Sequence, residues 1–138
     1  MYALGIDGGG SRTRALLCDA YGQIIGQGLS GGTNPRTSST AELKAHLQEA
    51  IEQATRSIDC SKIIAAHFGL AGAGEADTRA KVRTITKELL GKQTACTIGH
   101  DLEIALTGGL ANKPGIVLVA GTGSACYGRT CDGRSAKC

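Results

Sequence analysis

The stretch Gly5-Ile6-Asp7-Gly8-Gly9-Gly10-Ser11-Arg12-Thr13 stands near the start of the chain, between two short apolar runs. The runs at 3–7 and 13–18 have the length and composition of β-strands. Glycines let the backbone turn tightly and bring several N–H groups toward one point, so a turn of this kind can hold an anion. The stretch therefore predicts a hairpin whose turn binds phosphate groups.

Two common phosphate-binding loops do not match this turn. A Walker loop needs a glycine followed by Lys and then Ser or Thr, and the chain contains no such triplet. A dinucleotide-binding fingerprint would place a glycine at position 13 and a helix after it, whereas Thr13 begins a second predicted strand. What remains is a strand, a glycine-rich turn with hydroxyl groups, and another strand.

The same arrangement recurs at residues 121–124, between predicted strands at 116–120 and 125–129. Two such hairpins that face one another could hold the phosphates of a nucleotide from opposite sides, with hydroxyl groups adding donors at the rim. The alternative is that each is an ordinary hairpin turn, but the repetition favours binding. The predicted nucleotide-binding residues are Gly8, Gly9, Gly10, Ser11, Thr13, Gly121, Thr122, Gly123 and Ser124.

Asp7 stands at the carboxyl end of the first predicted strand. Its negative charge would repel a phosphate group in direct contact. A carboxylate beside nucleotide phosphates is instead well placed to hold Mg²⁺ through water. The sequence therefore predicts Asp7 as a metal-binding residue.

The order of predicted elements indicates an α/β fold. Three strands form an antiparallel meander, after which helices and strands alternate. The first helix has a capping box, Ser39 with Glu42, and Gly91 can end the second helix. This order is typical of a ribonuclease H-like mixed sheet with helices on both faces. The later predicted elements are a helix after Ser39, a strand at 63–70, a helix around 82–89, a strand at 94–98 and a short helix at 102–106.

The final hairpin does not fit inside that unit. Residues 1–113 are the predicted ribonuclease H-like domain, and residues 114–138 are predicted to be the incomplete start of a second one. A length of 138 residues argues against two complete domains.

Composition and charge exclude several classes of partner. Charged residues make up 20% of the chain and the net charge is +3, so no field strong enough for nucleic acid or a membrane surface is expected. The longest apolar run, 116–120, is too short to span a bilayer, and the N-terminus has no basic signal region. We expect a small-molecule partner and a cytoplasmic location.

Six cysteines are scattered along the chain with no CxxC pair. Reduced thiols that act as small apolar side chains are the simplest interpretation. Cys126, Cys131 and Cys138 lie close together near the C-terminus, so a metal or cluster site there is the alternative.

The segments GIDGGGSRTRALLCD, GLAGAGEAD, GHDLEIAL and PGIVLVAGTGSACYGR together resemble the BadF/BadG/BcrA/BcrD-type ATPases. This family joins the activator ATPases of benzoyl-CoA reductase and 2-hydroxyglutaryl-CoA dehydratase with N-acetylglucosamine and glucosamine kinases. It belongs to the superfamily of acetate and sugar kinases, heat-shock chaperones and actin. The resemblance implies two ribonuclease H-like domains with ATP between them, Ser11 and Thr122 meeting its terminal phosphates.

The resemblance also implies two substrate-binding residues. Asn34 matches the sugar-contacting asparagine of the family, although an Asn before Pro is already explained by turn preference. Asp101 matches the aspartate that acts as general base in the family's sugar kinases, and it follows the carboxyl end of a predicted parallel strand. The alternative role of Asp101 is the N-cap of the helix at 102–106, which is compatible with the first. His100 is interpreted as incidental, or as a residue that tunes this carboxylate.

Three functions stay open at this point. The leading one is an ATP-dependent sugar kinase that acts on an amino sugar such as N-acetylglucosamine or glucosamine, with Asp101 as catalytic base and ATP and Mg²⁺ as cofactors. The second is an activator ATPase, a class similar to a dimer bridged by an iron–sulfur cluster, which needs suitably placed cysteines. Cys126 and Cys131 keep this function open, although they lie on or beside a hairpin and their spacing does not demand a cluster. The third is a non-catalytic nucleotide or sugar sensor. A homodimer is possible, and 138 residues holding half of the site are not expected to show appreciable kinase activity alone.

Overall fold

The N-terminal sheet begins with the hairpin predicted from the glycine turn. In the computed structural model, which describes residues 1–120 and 124–138, β1 (Tyr2–Gly8), β2 (Arg12–Cys18) and β3 (Ile24–Gly31) form an antiparallel meander. β4 (Ile63–Leu70) pairs in parallel with β1, and β5 (Ala95–Gly99) pairs in parallel with β4. The order β3-β2-β1-β4-β5 is the predicted mixed sheet.

Local signals in the sequence set the ends of the first two helices. α1 (Thr40–Thr55) starts at the capping box, in which the Glu42 amide donates to Ser39 Oγ at 3.2 Å and the Ser39 amide donates to Glu42 Oε2 at 3.0 Å. α2 (Ala76–Leu90) ends at Gly91, which has a φ of 77° and donates its amide proton to the Lys87 carbonyl at 3.1 Å. Left-handed backbone at this position favours glycine, as predicted.

The remaining helices are short. A 3₁₀ helix covers Cys60–Lys62 and leads into β4. α3 (Asp101–Gly109) is longer at both ends than the helix predicted at 102–106. No helix within the described ranges is long and apolar enough to cross a membrane.

The core lies between one face of the sheet and the helices α1 and α2. Its members are aliphatic apart from Phe68, and Phe68, Leu17, Leu43 and Leu47 are fully buried. Gly28 allows β3 to approach α1 closely, because a Cβ atom there would lie 2.0 Å from the Ala50 carbonyl oxygen.

The second face of the sheet is covered less than the sequence predicted. α3 lies over its centre, where Ile104 packs on Gly69. Leu29, which is opposite Arg14 in the register, is 58% exposed. Within the described residues, helices therefore cover one face fully and the other in part.

A second sheet follows α3. β6 (Gly115–Ala120), β7 (Ser124–Arg129) and β8 (Ser135–Lys137) are antiparallel, in the order β6-β7-β8. Tyr127 of β7 packs against Leu102 and Leu106 of α3. β8 was not predicted because its three residues contain a single apolar side chain, that of Ala136. The linker between α3 and β6 contains the predicted domain boundary between residues 113 and 114. The division of the chain into two domains stays a prediction.

Candidate functional site

Four strands of the first sheet end at the same edge. β3, β1, β4 and β5 run in the same direction, and the register places Gly8 beside Leu70 and Gly69 beside Gly99. The segments that follow these strand ends therefore lie along one edge, which is where open α/β sheets bind ligands. Three predicted site residues of the first sheet, Ser11, Asn34 and Asp101, lie in or directly after these segments.

The glycine turn between β1 and β2 is held from two sides. The Gly9 amide donates to the Arg12 carbonyl at 2.9 Å, which closes the turn, and the Thr33 amide donates to the Gly9 carbonyl at 3.0 Å. Gly10 and Ser11 form the exposed tip, and among the described residues their amides have no acceptor. These two amides and the Ser11 hydroxyl are the groups of this turn that can receive a phosphate.

Only glycine fits at position 8, because the neighbouring side chains leave no room for a Cβ atom. A Cβ atom on Gly8 would lie 2.1 Å from Thr33 Oγ1 and 2.6 Å from Leu70 Cδ2. Gly8 has no positive φ, and neither have Gly9 and Gly10. Close packing against the segment after β3 therefore explains Gly8 better than the tight turn that the sequence suggested.

Thr13 does not lie at the rim of the turn, and this prediction was wrong. Its side chain is fully buried, and its hydroxyl donates to the Gly31 carbonyl at 2.7 Å. The Thr33 hydroxyl, 2.7 Å from Thr13 Oγ1, can then donate to it. Thr13 thus joins β2 to the end of β3 from the core side and has no donor left for a ligand.

Asp7 lies on the exposed side of the same turn, together with two arginines. A cavity of about 130 Å³ is lined by Asp7, Gly9, Arg12 and Arg14. Arg14 is directly opposite Asp7 in the register of β1 and β2. Neither arginine was among the predicted site residues, although their alternation with Thr13 in β2 puts them on the face away from the core.

The donor set at Asp7 fits Mg²⁺ that arrives with a nucleotide. Within the described residues, no group of three or more His, Cys, Asp or Glu side chains is arranged to hold a metal ion. Mg²⁺ is commonly bound by one or two carboxylates together with substrate phosphates and water. A single exposed carboxylate beside two guanidinium groups has the charges for such an ion and its phosphates.

Asn34 occupies the turn after β3. Its Oδ1 accepts a hydrogen bond from the Arg36 amide at 2.9 Å, and its carbonyl accepts one from the Ser38 amide at 3.0 Å. The expected turn role is therefore present. Oδ1 also contacts the β4–α2 segment, because a Cβ atom on Gly72 would lie 2.2 Å from it. Contact of Asn34 with a sugar stays a prediction.

Asp101 is the first residue of α3, directly after β5 and His100. Its side chain is 36% exposed. The predicted N-cap role belongs to His100 instead, which is only 7% exposed. The Leu102 amide nitrogen lies 3.1 Å from His100 Nδ1 and 3.0 Å from Asp101 Oδ1. Asp101 thus combines a solvent-accessible carboxylate with fixed contacts at the start of a helix.

His100 is not incidental. Its Nδ1 lies 2.9 Å from Asp101 Oδ1, and its Nε2 contacts the ammonium group of Lys137 in β8. A cavity of about 150 Å³ opens beside these groups, between the first sheet and the second. Its lining residues are Ala73, Gly74, Arg79, His100, Glu103, Tyr127 and Lys137.

The segment 71–74 connects the two predicted substrate-binding residues. Gly72 contacts Asn34, and a Cβ atom on Gly74 would lie 3.7 Å from His100 Cδ2. Asn34 and Asp101 therefore lie on either side of one short segment. In the second hairpin, Ser124 is exposed at the start of β7. Gly121, Thr122 and Gly123 lie outside the described residues, so the expected shared opening of the two glycine turns stays a prediction.

Two of the C-terminal cysteines form a pair across β7 and the end of the chain. The Cys126 amide donates to the Cys138 carbonyl at 2.9 Å, and the Cys138 amide donates to the Cys126 carbonyl at 3.0 Å. Desolvation and the neighbouring Cys138 thiol raise the pKa of Cys126 above its ordinary value. Cys131 is exposed.

Comparison with known proteins gives two curated relatives that span nearly the whole chain. One is the N-acetylmuramic acid/N-acetylglucosamine kinase of Clostridium acetobutylicum, 34% identical over 141 residues, which cover 99% of this chain and 45% of the relative. The other is the N-acetyl-D-glucosamine kinase of Dictyostelium discoideum, 28% identical over 144 residues, which cover 97% of this chain and 45% of the relative. The chain thus spans about half the length of these relatives.

A solved structure and a family model agree with these relatives. The crystal structure of a provisionally assigned N-acetylglucosamine kinase from Chromobacterium violaceum superposes with a TM-score of 0.72 at 22% identity, covering 99% of this chain and 47% of that one. That similarity confirms the fold. The model of the BadF/BadG/BcrA/BcrD ATPase family matches residues 4–138. Because this match runs from the strand that carries Asp7 through the second sheet, the chain belongs to the BadF/BadG/BcrA/BcrD ATPase family.

Proposed function

We propose that this chain is the N-terminal part of an ATP-dependent kinase that transfers the γ-phosphoryl group to a hydroxyl of an amino sugar such as N-acetylglucosamine or glucosamine. The observation that carries the proposal is the position of Asp101, a partly exposed carboxylate at the strand edge that also holds the glycine turn and Asn34. The names of both curated relatives support a sugar as the acceptor.

Asp101 is suited to the role of general base. Oδ1 has two partners, the Leu102 amide and His100 Nδ1, and both contacts of the carboxylate within the described residues go to this oxygen. Oδ2 can then accept the proton of the sugar hydroxyl as its oxygen attacks the γ-phosphorus and ADP leaves. A positioned base of this kind contributes about 10²- to 10⁴-fold to the rate.

The phosphates would be held two strands away from Asp101 along the same edge, at the turn between β1 and β2. The amides of Gly10 and Ser11 and the guanidinium groups of Arg12 and Arg14 supply donors and positive charge. Asp7 would hold Mg²⁺, which neutralises charge on the phosphates when it is bound. The turn that contains Thr122 is proposed to bind the same phosphates from the second sheet.

Sugar-dependent release of ADP tests this proposal. The full-length protein that carries this chain would receive ATP, Mg²⁺ and a panel of amino sugars, with Asp101→Asn as the variant. Glu52→Gln, an exposed carboxylate of α1, is the matched control. We expect Asp101→Asn to lower kcat by about 10²- to 10⁴-fold and Glu52→Gln to leave it unchanged.

The outcome also separates the alternatives. ADP release that no sugar stimulates would overturn the kinase proposal in favour of an activator ATPase, and binding without turnover would favour a sensor. The cytoplasmic location and the homodimer stay predictions, since neither is needed for the proposed reaction.

A further inference from the structure

We propose that Lys137 holds His100 in the tautomer that carries its proton on Nδ1, and that His100 thereby positions the carboxylate of Asp101. The contact between Lys137 and His100 joins the second sheet to the end of the first. Only its final step, the use of Asp101 as a base, rests on the proposed function.

The proton assignment follows from the groups around the imidazole. The Lys137 ammonium group has donors only, so Nε2 must accept at that contact. A neutral imidazole that accepts at Nε2 carries its proton on Nδ1. Nδ1–H then donates to Asp101 Oδ1 at 2.9 Å, and the Leu102 amide donates to the same oxygen at 3.0 Å.

The opposite tautomer is unfavourable at both nitrogens. A proton on Nε2 would face the ammonium group of Lys137, donor against donor. Nδ1 would then accept from the Leu102 amide at 3.1 Å, but its lone pair would face the carboxylate oxygen 2.9 Å away. A doubly protonated ring would place two cations in contact. The Nδ1–H state gives up one contact, because the Leu102 amide can then donate only to Asp101 Oδ1 and not to Nδ1. Each of the other two states loses at least the contact with Lys137, so Nδ1–H is the most favourable of the three.

His100 can transmit this constraint because it is itself fixed. It is buried at the N-cap of α3, and the segment after β4 lies against its ring at Gly74. Two donors on Oδ1 restrict rotation of the Asp101 carboxylate and leave Oδ2 without a partner among the described residues. His100 and Lys137 are therefore positioning residues, and Asp101 alone would touch the substrate.

Lys137 ties this arrangement to the second sheet. It lies in β8, opposite Tyr127 of β7, and Tyr127 packs against Leu102 and Leu106 of α3. The orientation of Asp101 consequently depends on how the second sheet sits against α3. Such a dependence would couple the geometry of the base to the contact between the sheets.

The tautomer can be measured directly on the chain. It contains three histidines, His46, His67 and His100, and long-range ¹H–¹⁵N spectra report which ring nitrogen carries the proton. His46 is an internal reference, because its Nδ1 lies 2.8 Å from the Gly32 carbonyl oxygen, which can only accept. We expect Nδ1–H at His100 in the wild type, a change toward Nε2–H in Lys137→Met, and no change at His46.

Two further variants separate positioning from folding. Lys137→Arg keeps a donor and should keep Nδ1–H at His100, whereas Lys92→Met, at an exposed lysine after α2, should change nothing. An Nε2–H ring at His100 in the wild type would overturn the inference, and so would a ring unaffected by Lys137→Met.

Kinetics of the full-length protein test the last step. Lys137→Met and His100→Asn should lower kcat about 10- to 100-fold, in the range caused by a misplaced catalytic group, with the KM for ATP unchanged. Asn is a good N-cap, so His100→Asn keeps the helix start and removes only the imidazole. Unchanged kcat in both variants, while Asp101→Asn is inactive, would overturn the positioning role. Full activity of Asp101→Asn would instead contradict the proposed function and leave the tautomer result standing.

Discussion

Gly8 and Thr33 are packed so closely that no side chain fits between them. A Cβ atom on Gly8 would lie 2.1 Å from Thr33 Oγ1 and, at the same time, 2.6 Å from Leu70 Cδ2. This contact places the segment that leads to Asn34 directly behind the glycine turn. Two predicted ligand-binding segments thus depend on one glycine.

Gly8→Ala should destabilise the protein by about 1–3 kcal/mol, the usual cost of overpacking a close contact. Gly10→Ala is the control, since a Cβ atom at Gly10 has no neighbour within 4 Å. The free energy of unfolding from urea titration measures both. Equal denaturation midpoints for the two variants would show that the segment after β3 does not pack against Gly8.

Substitutions at Thr13 and at Ser11 should have different effects, the first on stability and the second on ligand binding. Thr13→Val removes a buried hydroxyl and leaves the Gly31 carbonyl and the Thr33 hydroxyl without their partner, which costs about 1–3 kcal/mol of stability. Ser11→Ala, at the exposed tip, should leave stability unchanged and weaken ATP binding. Calorimetric titration of the full-length protein with an ATP analogue, beside urea titration, measures both effects. Weaker binding with unchanged stability in Thr13→Val would restore its predicted role at the rim.

Arg14→Gln should lower the affinity for ATP about tenfold, because it removes one charge-assisted contact worth about 1.5–3 kcal/mol at most. The loss should shrink as salt concentration rises, since exposed charges are screened. Arg56→Gln, at the C-cap of α1, is the control. An affinity that is equal in Arg14→Gln and the wild type at low salt would remove Arg14 from the phosphate site.

Glu42 should make the stability of α1 depend on pH. Hydrogen bonds from the Ser39 side chain and backbone lower the pKa of Glu42 below its ordinary value of 4.5. A carboxyl whose pKa is lower in the folded state stabilises the protein above its unfolded pKa, and this contribution is lost as pH falls through the folded value. Glu42→Gln can still form the capping box but does not titrate.

We therefore expect the wild type to be more stable than Glu42→Gln at pH 7, with the difference shrinking as pH falls below the ordinary pKa of Glu42 and reaching near zero only below its lowered folded pKa. Thermal unfolding followed by circular dichroism at a series of pH values measures it. A difference that grows in acid would contradict the assignment.

Helix ends and strands that are determined by residues close together in the sequence could be predicted. Ser39 with Glu42 predicted the start of α1, and Gly91 predicted the end of α2, because both are interactions inside one helical turn. The order of strands and helices likewise predicted the mixed sheet. The burial of Thr13 could have been read from its alternation with Ala15 and Leu17, which puts it on the core face of β2.

The amino-acid sequence alone was enough to predict the family, the first sheet and the sheet edge that carries Asp7, Asn34 and Asp101. Strand direction and helix caps follow from the spacing of nearby residues, which the sequence shows directly. It could not reveal that Thr33 packs behind Gly8, or that Lys137 reaches His100 across 37 positions of sequence. Those contacts arise only when separate strands and sheets pack together, and spacing along the chain does not specify which side chains then become neighbours.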